Sequence, residues 1–282
     1  MDLNPTIEAA AKAVREADAL VFTAGAGIGV DSGLPDFRGR EGFWRAYPPI
    51  AKLGLSFSEM ANPYWFERNP RLAWAFYGHR LNLYRRTTPH KGFSQLLELA
   101  QSKPTGCFVF TSNVDGQFQK AGFDGDRIEE CHGSIHHLQC VAGCSRNIWD
   151  GGGIEVDVDE ERFEALDPLP ACERCGAVAR PNILMFGDWA WISTRSEEQG
   201  MRFDAWLAEL KRDGAKLAVI EAGAGRAVPT VRYKSESLAC SHGAPLIRIN
   251  PRDYETPPGD NYSIPLGAAE GIAEVYRSAT RA

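Results

Sequence analysis

Four of the seven cysteines sit in two close pairs, Cys140/Cys144 and Cys172/Cys175. Four thiolates suit a closed tetrahedral zinc site, one that holds chain segments together and takes no part in chemistry. The long segment between the pairs is tolerable, because loop-closure entropy grows only slowly with length. Four free thiols flanking one small segment is the weaker reading. Cys107, Cys131 and Cys240 are unpaired and are assigned to ordinary packing. A second concentration of chemistry is the run T-A-G-A-G-I-G at residues 23–29. Glycines there let the backbone turn tightly and approach a pyrophosphate, whose charge a helix N-terminus can stabilise. Gly25 and Gly27 fit the spacing G-x-G-x-x-G, but Val30 occupies the third position. A tight strand-to-helix turn without a ligand explains these glycines equally well. The following run D-S-G-L-P-D-F-R-G, at 31–39, combines a proline-stiffened turn, an aromatic, an arginine and carboxylates. A plain turn does not require that combination.

These residues need a scaffold. The chain has 282 residues, 44% of them apolar and 24% charged, as in ordinary globular proteins with room for a buried cleft. Residues 6–17 read as a helix with Ile7, Ala10, Ala11 and Val14 on one face. Short apolar runs at 18–23, 107–111, 216–221 and 245–249 read as buried strands, with helices at 93–101 and 203–212 between them. This alternation predicts an α/β fold: a doubly wound, Rossmann-like parallel sheet with helices on both faces. Ligands on such sheets collect at the carboxyl ends of the strands. Residues 43–86 are rich in aromatics, contain no convincing strand and read as helices and loops. With 140–176 they form a smaller module, helical and zinc-binding, inserted into a large part made of 1–42, 87–139 and 177–282. Residues 256–259 read as a surface loop. A net charge of -6 gives no basic footprint for nucleic acid. No run resembles a signal peptide or a membrane span, so the cytoplasm is expected.

The stretch GAGIGVDSGLPDFRG at 25–39 resembles the NAD-binding signature of the sirtuin family. TSNVD at 111–115, Cys131-His132-Gly133, the cysteine pairs, RPNILMFGD at 180–188 and Ile249-Asn250-Pro251 follow in the family's order across nearly the whole chain. The resemblance implies a doubly wound domain and a small zinc module enclosing NAD and an acyl-lysine peptide. It implies that Ala26, Ile28, Pro35, Asp36, Phe37, Asn113 and Asp115 surround the nicotinamide and its ribose, with Arg38 on the loop that closes over them. Gly25, Gly27, Ser112, Val114, Gly223, Ala224, Gly225, Asn250 and Ala269 complete the expected cofactor contacts. His132 becomes the general base, since an imidazole titrating near neutrality can accept a proton from a ribose hydroxyl. Asn113 and Asp115 are the other catalytic candidates; His136 and His137 carry no such role. The acyl oxygen would attack the ribose carbon as nicotinamide leaves, giving lysine, nicotinamide and O-acyl-ADP-ribose.

Leu184, Phe186, Gly187 and Asp188 are expected at the acyl-lysine tunnel and at the edge where a peptide backbone pairs. Ala61, Tyr77 and Arg80 are similar to the pattern of sirtuins that accept succinyl- or malonyl-lysine. A small alanine leaves room, while tyrosine and arginine bind a distal carboxylate. The chain departs from the family at several points. Ser112 stands where glutamine is usual, Asp188 replaces glutamate and is followed by Trp189-Ala190-Trp191, and Ala224 and Gly225 replace residues with hydroxyls. Competing functions are an ADP-ribosyltransferase or NAD glycohydrolase on the same scaffold, and an NAD-sensing module with little turnover. A dehydrogenase lacks the acidic residue expected at the end of a second strand.

Overall fold

The computed structural model describes residues 3–36 and 39–281. A six-stranded parallel sheet forms its centre, built from β1 (Ala19–Ala24), β2 (Cys107–Thr111), β3 (Ile128–Glu130), β9 (Leu217–Ala222), β10 (Leu246–Ile249) and β11 (Asn261–Ile264) in the order β11-β10-β9-β1-β2-β3. A second sheet, of three antiparallel strands, holds β4 (Gly133–Cys140) between β5 (Ile148–Asp150) and β8 (Ala179–Ile183). A two-stranded ribbon pairs β6 (Val158–Asp159) with β7 (Glu164–Ala165).

Alternation along β1 shows why its sequence is apolar throughout. Leu20, Phe22 and Ala24 face a core shared with α1 (Asn4–Glu16), α7 (Lys91–Gln101) and α11 (Ala268–Thr280). Ala19 and Val21 face the opposite core, shared with α9 (Thr194–Asp213) and α10 (Thr230–His242). A strand buried on both faces has no polar side to alternate. The helix expected over 6–17 is α1, which runs from Asn4 to Glu16 and buries Ile7, Ala10, Ala11 and Val14. The region 43–86 is helical, as its composition suggests: α2 (Gly39–Ala46), α3 (Pro48–Lys52), α4 (Phe57–Met60), α5 (Tyr64–Arg68) and α6 (Pro70–Arg86). Their aromatics form a third core against β4 and β8. A one-turn helix, α8 (Gln117–Lys120), follows β2.

Two expectations were too narrow. Helix α9 begins at Thr194, well before residue 203, because its first turns bury the polar Ser196 and Gln199, and a hydrophobic repeat does not register them. Cys240 is exposed on α10 rather than packed, while Cys107 and Cys131 are half-buried and burial pushes both thiols up to about 12. No helix among the described residues is long and apolar enough to cross a membrane.

The strand order fixes the ligand crevice. Sheet growth runs from β1 through β2 to β3 on one side, and from β9 through β10 to β11 on the other. The switch point lies between β1 and β9, whose carboxyl ends deliver Gly25 and Gly223.

Candidate active site

At that switch point the two glycine turns touch. The amides of Gly25 and Gly27 donate to the carbonyls of Ala222 and Gly223 at 3.1 and 3.0 Å. A Cβ on Gly25 would lie 2.9 Å from the Ala224 Cα, and one on Gly223 would lie 2.1 Å from the Ile28 nitrogen. Gly223 also has φ +67, so any side chain there would be both strained and blocked. The glycines therefore bring two backbones into contact and leave a floor without side chains. Above it opens a cavity of about 770 Å³.

Its lining joins most of the residues singled out from sequence: Gly25, Ala26, Gly27, Pro35, Asp36, Ser112, Asn113, Val114, Asp115, His132, Gly223, Ala224 and Gly225, with Ala61, Tyr77, Arg80, Leu184 and Phe186 at the other end. The segment after β2 is held rigidly. Thr111 Oγ1 donates to the Ala24 carbonyl at 3.0 Å and accepts from the Asn113 amide at 3.0 Å, while Asn113 Nδ2 donates to the Gly25 carbonyl at 3.2 Å. Asn113 thus ties the β2 segment to the glycine turn. Asp115 is buried; its Oδ1 accepts from the Gln117 amide at 3.0 Å, yet burial pushes its carboxyl up to about 6. His136 Nε2 donates to the Asp115 carbonyl at 3.0 Å, a bracing role consistent with its reading as structural.

His132 enters the cavity between the two sheets. The Cys131 amide donates to the Thr111 carbonyl at 3.0 Å, and the Leu184 amide donates to the His132 carbonyl at 3.0 Å, fixing its backbone on both sides. Burial holds the imidazole below the usual histidine value, with hydrogen bonding to the Ser112 backbone opposing the shift. At neutral pH it is a free base, ready to accept a proton.

At the far end α6 supplies Tyr77 and Arg80 and, one turn further, Tyr84, which sequence reasoning missed. Arg80 donates from Nε and Nη2 to the Tyr84 hydroxyl at 3.1 and 2.9 Å and sits among the rings of Phe57, Phe76 and Tyr77 at 5.2–5.9 Å. The buried Tyr77 hydroxyl has no hydrogen-bond partner, and burial pushes its pKa upward, so it remains a donor. Spacing 77, 80, 84 lies on one helical face, and that periodicity was the available signal for Tyr84.

The end of the cavity formed by the turn after β9 is braced by buried charge. Register pairs Arg248 with Glu221 across β10 and β9, and Arg248 donates to Glu221 from Nε at 2.6 Å and from Nη2 at 2.9 Å. Arg248 and Arg232 also donate to the carbonyls of Glu255 and Asp253, each at 2.6 Å, holding the segment that brings Asp253 to the cavity. Arg226, Val228 and Asp253 line this end.

Several residues expected to contact cofactor or substrate stand outside the cavity lining. Ile28 lies behind the floor, buried, its carbonyl engaged by His90 Nε2 at 2.9 Å. Asn250 is fully buried and structural: Nδ2 donates to the Ala224 carbonyl at 2.8 Å and Oδ1 accepts from the Arg252 and Asp253 amides. The Ala269 amide is taken by Asp31 at 2.8 Å, and neither residue lines the cavity. Asp188 is not presented to a ligand, because its side chain is buried against Arg180 at 2.7 Å. Gly187, φ +68, turns the chain beyond Phe186 and stands outside the lining. Phe37 and Arg38 lie outside the described residues.

The four paired cysteines converge apart from this cavity. Their Sγ atoms all lie within 4.8 Å of one another, with Cys140–Cys175 and Cys144–Cys172 at 3.6 Å. Tetrahedral zinc with Zn–S of about 2.3 Å sets sulfur–sulfur separations of about 3.8 Å. The cluster suits one structural zinc.

A family model for the Sir2 family matches residues 25–200, most of the chain. The chain belongs to the Sir2 family. An NAD-dependent protein deacylase of Aquifex aeolicus is 28% identical over 91% of this chain and 93% of its own length. One from Aeropyrum pernix is 32% identical over 83% and 80%. Among solved structures, a Sir2 homologue in complex with NAD aligns with TM-score 0.69 at 27% identity, covering 99% of this chain and 94% of that one. A Sir2 homologue variant in complex with ADP-ribose aligns at 0.70 and 28%, covering 99% and 96%. The Sir2 membership agrees with the sheet order, the glycine turns and the cysteine cluster.

Proposed function

We propose that this chain removes acyl groups from protein lysine side chains at the expense of NAD, with His132 as general base. The observation that carries this reading is one cavity at the β1/β9 switch point holding the glycine turns, Asn113, Asp115 and His132 together. The side-chain-free floor fits a dinucleotide, whose backbone-to-backbone approach any larger residue would prevent. Gly25, Ala26, Gly27, Pro35, Asp36, Ser112, Asn113, Asp115 and the turn at 223–225 are the residues that would hold it. When bound, NAD supplies an electrophilic ribose carbon and nicotinamide as leaving group. Asn113 fixes the β2 segment against the floor, the Asp115 carboxyl meets a carboxamide, and His132 takes a proton from a hydroxyl. The apolar lip at Leu184 and Phe186 excludes water from the acyl end. The partner is an acylated protein, and the thiolate cluster suits a reducing compartment such as the cytoplasm. The test is the mass of the products formed from NAD and acyl-lysine peptides. O-acyl-ADP-ribose supports deacylation; free ADP-ribose alone, or modified protein, would replace it with hydrolysis or transfer.

Tyr77 and Arg80 extend the reading to acyl groups that end in a carboxylate, such as succinyl. A buried phenol donor without a partner beside a guanidinium matches a carboxylate acceptor. Arg80→Met keeps the stem and removes the charge. Charge-assisted hydrogen bonds contribute about 1.5–3 kcal/mol, so kcat/KM for a succinyl peptide should fall by roughly 10- to 150-fold. The acetyl reaction should fall far less. Equal loss of both activities, measured on matched peptides, would remove the carboxylate role.

A further inference from the structure

On the loop beyond the lip of the cavity, Trp189 is 99% exposed. An indole with no neighbours is ordinarily found on a loose loop, but here the loop is pinned at successive residues. Asp188 accepts from the Met185 and Ala190 amides at 3.3 and 3.2 Å while bound to Arg180. Gln139 then holds both ends of the next turn, donating to the Ala190 carbonyl at 2.9 Å and accepting from the Ile192 amide at 3.1 Å. Phe186, on the cavity side, is fixed by its amide donating to the Ala61 carbonyl at 2.9 Å. The backbone that carries Trp189 is therefore fixed, three positions along the chain from Phe186, which with Leu184 is half-exposed and lines the cavity.

The geometry points to Trp189 as a docking site for an apolar side chain of the substrate that flanks the acyl-lysine. This rests on the deacylase reading and names the class of sequence that it prefers. An exposed aromatic on a fixed backbone beside a pocket is a common anchor of recognition, because only two side-chain torsions are ordered when it is covered. The buried Asp188 explains how the anchor is held: its carboxylate fixes the loop rather than the peptide. Trp189 lies three residue steps beyond Phe186, a reach of at most about 11 Å. An extended peptide rises about 3.3 Å per residue, so the apolar residue falls within about three positions of the lysine.

Binding of fluorescently labelled acetyl-lysine peptides to the full chain saturated with ADP-ribose tests this independently of turnover. The peptides carry glycine throughout, or a single leucine or phenylalanine at each position from three before to three after the lysine. At one or two positions the apolar residue should tighten binding about tenfold over glycine. The ratio should fall near one in Trp189→Ala and return in part with Trp189→Phe. Because the indole is fully exposed, neither variant disturbs a core. A ratio near one in the unaltered protein, or one unchanged by Trp189→Ala, overturns the proposal. So does a dimer that Trp189→Ala converts to monomer while the ratio persists, which would assign the indole to contact between copies. Failure of every peptide to bind overturns it too, and alone among these results also counts against the deacylase reading.

Discussion

Replacing His132 with alanine should lower the rate of deacylation by about 10²- to 10⁴-fold, the range general bases contribute, with NAD affinity little changed. The affinity should persist because the cavity floor is made by the glycine turns, which the substitution leaves intact. The pH profile gives a sharper signature. Burial holds the imidazole below its ordinary 6.5, and pushes the Asp115 carboxyl up to about 6. Both groups therefore protonate as pH falls below neutrality, and both lose function in that form. The unaltered enzyme should be flat from pH 7 to 8 and fall steeply below about 6. The residual activity of His132→Ala should lose one of the two protonations and fall less steeply. Stability moves the other way for Asp115. Its folded value lies above the ordinary 3.8, so the folded chain binds this proton more tightly, and ionisation costs stability as pH rises from 3.8 through about 6. Initial rates between pH 5 and 8 decide the matter, and a His132→Ala variant retaining a tenth of the rate would end the assignment.

How much of this was legible beforehand depended on whether the physical cause was local. The glycine turn, the buried strands and the helical face of α1 are written in periods and turn residues, which are local facts. The aromatic region 43–86 was readable as helical for the same reason. Hidden were arrangements whose partner is remote in sequence. Asp31 caps the amide of Ala269 and Arg180 captures Asp188, so at two positions expected to meet a ligand the group already has a partner within the chain. Asn250 stands in a familiar motif, yet the three hydrogen bonds of its side chain all go to backbone groups, those of Ala224, Arg252 and Asp253. One long-range pairing did leave a trace. Glu221 and Arg248 each interrupt an otherwise apolar strand, and a buried charge requires a buried partner of opposite sign. Such a pair adds little net stability, since desolvation offsets attraction. Its visible effect is to fix β9 against β10 directly beneath the Gly223 turn.

Removal of zinc should abolish deacylation while leaving the six-stranded sheet folded. The expectation follows from where the cysteines sit. Cys140 ends β4, and Cys172 and Cys175 precede β8, so the metal closes the open end of the strand pair that carries the acyl lip. At the other end of the same pair, the His132 carbonyl receives the Leu184 amide. Structural zinc in small domains contributes apparent free energies of about 10–16 kcal/mol, though the aromatic core beneath β4 and β8 supplies part of that holding here. Loss of the ion should therefore loosen residues 140–183 and displace His132, without touching β1 and β9. Cys172→Ala or prolonged chelation should speed hydrogen exchange in that segment while Ala19–Ala24 stays protected. Activity should fall at least 100-fold, a displacement of about 1 Å being enough to disrupt a positioned base. Added zinc should restore the chelated protein, whereas magnesium, which prefers oxygen ligands, should not. Full activity in protein shown to be zinc-free would separate the cysteine cluster from the site. A loss of activity on zinc removal is expected to be mechanical in origin, passed along the β4–β8 pairing to one imidazole.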